Sequence, residues 1–162
     1  MSHDDDLPPA LAAELARWND GAGIALDAWI ACVGSPDLAL GYATAFWPRI
    51  DLYRGYLLQD GWTPETVRAF EARPGATPAG VEWVMNHRHV QDLHSGDSGT
   101  LTREHCLRLG TVLREITAAK LAWQYPDRPC EVAFHVPDDP DDLIGYQVSF
   151  RQWKWTAAPD AS

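Results

Sequence analysis

The sequence has no Cys-x-x-Cys pair, no His-Glu-x-x-His, no Gly-x-Ser-x-Gly elbow and no glycine-rich loop following a strand. Each absence removes a class of function. Without paired or regularly spaced cysteines, zinc-ribbon and disulfide-framework readings fail. Without two histidines on one helix face beside a glutamate, the zinc-protease arrangement fails. Without an elbow there is no serine held at a strained strand-to-helix turn. Gly21-Ala-Gly23 follows a helix rather than a strand, so no phosphate cradle is expected there.

Basic residues are also scarce. Thirteen Lys and Arg stand against 23 Asp and Glu, a formal net charge of -10. Nucleic-acid binding draws much of its affinity from neutralised phosphates, and no cluster of Lys or Arg is present to supply it. An anionic membrane surface would repel this chain, and no apolar run approaches the roughly eighteen residues that span a bilayer. Residues 1–6 are acidic where a secretory signal is basic, which gives a disordered acidic N-terminus on a cytoplasmic protein. Cys32, Cys106 and Cys130 are odd in number and far apart, as expected of reduced thiols.

What is present is enough for a core. The chain has 162 residues, 46% of them hydrophobic, and eight tryptophans. That length fits one domain, read here as residues 7–155 with a frayed tail at 156–162. Some of the eight tryptophans are expected in the core, and any excess at an interface, since tryptophan is enriched at binding surfaces.

Apolar spacing and turn residues predict helices over residues 7–19, 24–33, 35–47, 63–70, 77–94 and 102–125. Residues 50–58 read as one strand bent at Gly55. Residues 130–136 and 144–153 alternate and form a C-terminal hairpin across the acidic turn Asp138, Asp139, Asp141 and Asp142. The expectation is an α+β fold: five or six helices on a small antiparallel sheet of about three strands.

Two breaks in pattern draw attention. In the 77–94 helix the apolar stripe of Val81, Val84 and Met85 runs into Arg88 and Asp92, which can pair at four residues' spacing. His89 flanks that line with Asn86 further round, whereas His87 falls on the opposite side, so His87 and His89 cannot share an ion on a helix. The set reads either as a semi-buried polar site or as a solvated face. In the 102–125 helix Lys120 lies inside the stripe of Cys106, Leu109, Leu113, Ile116 and Trp123. A buried ammonium needs an anion or loses its proton, with Asp92 or Glu82 the expected partner; otherwise its stem lies on apolar surface and its head reaches water.

The leading expectation is a non-enzymatic binding protein with a basic protein partner. Its contacts would be Arg151, Trp153 and Trp155, with Asp138, Asp139, Asp141 and Asp142 steering approach. In compactness and acidity it resembles toxin-neutralising immunity proteins. The alternative is an enzyme or small-molecule binder with a cleft of Asn86, Arg88, His89, Asp92 and Lys120, His89 serving as acid–base group and Arg88 holding an anion. Neither reading calls for a metal or cofactor.

Overall fold

The computed structural model describes residues 7–94 and 101–156. The expected acidic N-terminus, the 95–100 loop and the last six residues lie outside the described residues. The fold is α+β. Residues up to Thr44 form one compact unit and those from Ala45 a second.

The first unit carries α1 (Pro9–Ala16), α2 (Leu26–Val33) and most of α3 (Pro36–Phe46). Proline stands at the first position of α1 and α3, where its missing N–H costs nothing. The loop after α1 turns through Asn19, Asp20 and Gly21, all at positive φ, and the Asn19 amide ties it to the Gly23 carbonyl at 2.8 Å.

The second unit begins with β1 (Ile50–Tyr53) and β2 (Tyr56–Gln59), an antiparallel hairpin. The sequence suggested one bent strand here. The structure corrects this: Arg54 and Gly55 both take positive φ, 51° and 91°, as a two-residue turn matched to strand twist requires. Then come α4 (Pro64–Glu71), α5 (Pro78–Met85), β3 (Arg88–His89), α6 (Arg103–Gln124), β4 (Cys130–His135) and β5 (Gln147–Gln152). β3, β5 and β4 form a second antiparallel sheet in that order, giving five strands in two sheets rather than about three in one.

The alternation read in the C-terminal strand holds for its apolar residues, although Ser149 on the opposite face is buried too, its hydroxyl donating to the Trp83 carbonyl of α5. Tyr146, Val148, Phe150 and Gln152 are buried, with Val132 and Phe134 opposite Phe150 and Val148. α6 lies against this face so closely that a Cβ on Gly110 would come within 2.2 Å of the Phe134 ring. Val90, Cys106, Leu113, Tyr146 and Val148 make one core cluster there. Ile50, Leu57, Leu121 and Phe150 make another, and Tyr56, Leu58, Val67 and Val81 join β2 to α4 and α5. Each fully buried residue of this kind contributes about 1.5–3 kcal/mol relative to exposure.

Two boundaries differ from expectation. Ile144 is 59% exposed, in a short turn of 3₁₀ helix, and the strand starts at Gln147. It ends at Gln152, one residue short of the expected bound, and Trp153 to Trp155 form a further 3₁₀ turn.

Candidate binding surface

The helix expected to reach His94 stops at Met85, and the cause is tertiary. Asn86 caps α5 through its own N–H to the Glu82 carbonyl, while its side chain is drawn into the gap between the two sheets. Asn86 Oδ1 accepts from the Gln59 N–H at 2.8 Å, and Nδ2 donates to the carbonyls of Leu57 and Phe150 at 2.8 and 3.3 Å. Glu82, one turn earlier, accepts from the N–H groups of Leu57 at 2.8 Å and Gln152 at 2.7 Å. The Gln152 side chain donates to Glu82 as well, and to the Gly55 carbonyl at 2.8 Å. The free edge of β2 and the far end of the β5 edge are thus bridged by side chains in place of a strand. Unmet backbone groups there would each cost about 1–3 kcal/mol. Glu82 has no exposed surface, Asn86 2% and Gln152 1%, so this knot holds the fold and no solute reaches it.

Beyond Asn86 the backbone joins the sheet. Arg88 and His89 pair with Val148 and Gln147, and the Val90 N–H donates to the Tyr146 carbonyl. The four-residue helical spacing that would have paired Arg88 with Asp92 is therefore lost. The Arg88 guanidinium donates to the Ala45 carbonyl instead; burial lowers its pKa, against the opposing effect of the Asp92 charge. His89 Nδ1 lies 2.6 Å from the Ile144 carbonyl, and its ring meets His87 edge-on at 5.1 Å. His87 and His89 are neighbours, not on opposite helix faces. No group of three or more His, Cys, Asp or Glu suited to a metal occurs among the described residues.

Lys120 departs from expectation too. It is 6% exposed, yet among the described residues it pairs with neither Asp92 nor Glu82. Its ammonium sits 4.6 Å from the centre of the Trp47 ring and 5.9 Å from that of Trp123. Aromatic faces stand in for a carboxylate, and desolvation lowers the lysine pKa. The two indoles lie 6.0 Å apart. The cleft proposed from sequence is therefore dispersed: Asn86 in the knot, Arg88 on Ala45, His89 on Ile144, Asp92 exposed, Lys120 between tryptophans.

Trp47, and Trp123 from the apolar stripe of α6, are 48% and 72% exposed. Hydrogen bonds explain their meeting. Gln124 and Tyr125, at the end of α6, both donate to the Ile50 carbonyl, at 2.9 and 2.8 Å, which brings the residues before β1 against Trp123. The Arg128 N–H donates to the Tyr125 carbonyl and the Trp153 N–H to that of Pro129, both at 2.9 Å. A continuous run of bonds thus ties Trp47, Trp123 and Trp153 to one end of the α6–β4–β5 layer. Trp153 is 50% exposed.

A cavity of about 390 Å³ is lined by Asp127, Arg128, Pro129, Gln152 and Lys154, the last two flanking Trp153 in the chain. Lys154 Nζ donates to the Gly55 carbonyl at 3.0 Å and lies 4.0 Å above the Trp155 ring. Trp155 packs inward against Tyr56, 5.9 Å away. Arg151 is engaged as well, with Glu131 at 2.8 Å and the Trp83 ring at 4.9 Å. Asp138, Asp139, Asp141 and Asp142 are exposed at the far end of the β4–β5 hairpin, where Asp142 caps the Gly145 N–H and Asp139 accepts from Asp141. The aromatic and acidic residues grouped from sequence thus occupy opposite ends of the hairpin. Burial raises the pKa of Cys106 and pushes that of Cys130 up to about 12.

Comparison with family models, with curated proteins and with solved structures gave no match to this chain.

Proposed function

We propose that this chain is a binding protein that recognises a protein partner through the end carrying Trp47, Trp123 and Trp153. The observation that carries the reading is the Trp47–Trp123 pair, rings 6.0 Å apart and 48% and 72% exposed, with half-exposed Trp153 following β5 at the same end of the α6–β4–β5 layer. Large apolar side chains exposed together are uncommon on a surface with no partner. Tryptophan dominates the energetics of interfaces, because it buries a large rigid area at small cost in rotamer freedom.

Charge acts at two distances. The net charge of -10 attracts a basic partner at long range. At contact, Arg128 and Lys154 line a cavity at the same end, which suits an apolar segment bearing an acidic group. Neutralisation of a basic protein, in the manner of toxin-neutralising immunity proteins, is the biological form this reading takes.

The test compares Trp123→Ala and Trp153→Ala with Ile144→Ala, an exposed apolar residue at the other end. Wild type serves as bait in native lysate, the captured partner is identified by mass, and Kd values are then measured with that partner purified. The tryptophan variants should melt as wild type does and bind about 10- to 30-fold more weakly, the range of an interface anchor. Ile144→Ala should bind as wild type. Equal binding by all four proteins would exclude this end as the interface.

A further inference from the structure

We propose that the cavity between the 126–129 turn and the Trp153–Trp155 turn is an oxyanion site that receives a carboxylate, held by Arg128 and Lys154. The inference deepens the interface reading: the carboxylate is an acidic side chain or chain terminus of the partner.

Three features carry it. First, the cationic groups are preset. Arg128 Nη1 donates to Gln152 Oε1 at 3.2 Å, and Gln152 is itself fixed, 1% exposed and bonded to both Glu82 and Gly55. The buried knot thereby orients a guanidinium at the surface, leaving the rest of its planar fork available for a carboxylate. Second, the charges are underused. Lys154 spends one donor of three on the Gly55 carbonyl, and neither cation forms an ion pair among the described residues. Burial lowers the Lys154 pKa and the Arg128 charge lowers it further, only partly offset by Glu82 and Cys130, a cost that a bound oxyanion relieves. Third, the space is adequate: about 390 Å³ falls in the range of small-molecule sites. Asp127, exposed on the rim, is the internal competitor.

The test is an NMR titration of the 162-residue chain with sodium succinate, inorganic phosphate and sodium chloride at matched ionic strength, read at the Trp153 indole and the Arg128 side-chain N–H. Succinate should give saturable shifts at both. Arg128→Gln and Lys154→Gln should each weaken it about tenfold, the size of one charge-assisted hydrogen bond, and Asp127→Asn should tighten it severalfold. Unsaturated, chloride-like shifts with succinate would overturn the site, and saturation by phosphate alone would overturn its assignment to a carboxylate. The wild-type titration needs no variant to fold. With no partner protein in the tube, a failure here leaves the interface reading standing, and a failure of the Trp123→Ala comparison leaves this titration intact.

Discussion

The Glu82–Asn86–Gln152 knot and the Trp47–Trp123–Trp153 end are joined through one residue, Gln152, yet they treat polar groups in opposite ways. In the knot both Glu82 carboxyl oxygens accept N–H donors, and the Asn86 amide bonds three backbone groups. At the end, Arg128 and Lys154 each spend a donor on one amide oxygen and leave others over, while Lys120 is closed in against Trp47 and Trp123. Satisfied and buried polar groups hold this fold; underused charges beside exposed indoles are equipped to meet something else. Buried polarity and functional polarity are separate here, although the sequence mixes them within a few residues.

Substitutions sharpen that contrast, and the knot should give the largest effect. Glu82→Ala strands the Leu57 and Gln152 N–H groups in a dry gap and should cost about 3–5 kcal/mol in urea unfolding. Asn86→Ala releases the Gln59 N–H and two carbonyls and should cost about 2–3 kcal/mol. Gly110→Ala, in the packed layer itself, should cost about 1–3 kcal/mol by driving a methyl group into Phe134. At the open end Trp123→Ala should change stability by less than about 1 kcal/mol while weakening partner binding. If Trp123→Ala destabilised as much as Glu82→Ala, the contrast between the two regions would collapse.

The smallest effect concerns the Cys130 thiol, next to the knot. Its folded pKa, about 12, lies above the ordinary value of 9.0, chiefly through burial and then through the Glu82 charge. Between those values the unfolded chain has lost a proton that the folded chain keeps, so stability declines as pH rises from about 9 towards 12. Cys130→Ser should flatten that part of a pH–stability curve. At pH 8, thiol labelling should reach exposed Cys32 well before Cys130 or buried Cys106.

Local pattern carried much of this architecture. Thr63, Thr77 and Thr102 cap helices where the sequence starts them, and the period-two rhythm of Val132, Phe134, Val148 and Phe150 marks the sheet face under α6. The first hairpin was hidden because Arg54 takes a left-handed conformation that glycine or asparagine would have announced. The end of α5 at Met85 was hidden because the groups that claim Asn86 lie 27 to 64 residues away. Lys120 stood out as an anomaly, but its partner was not legible: the Ile50 carbonyl, which seats Trp47 against Trp123, leaves no mark near either tryptophan.

The most direct measurement is site-specific photo-crosslinking in cells that make the protein, with a photoreactive phenylalanine analogue placed at Trp123 in one strain and at Ile144 in another. Both positions are well exposed and sit at opposite ends of the layer. The account predicts a single protein adduct of defined mass from position 123 and none from 144. An adduct from position 144 with none from 123 would contradict it.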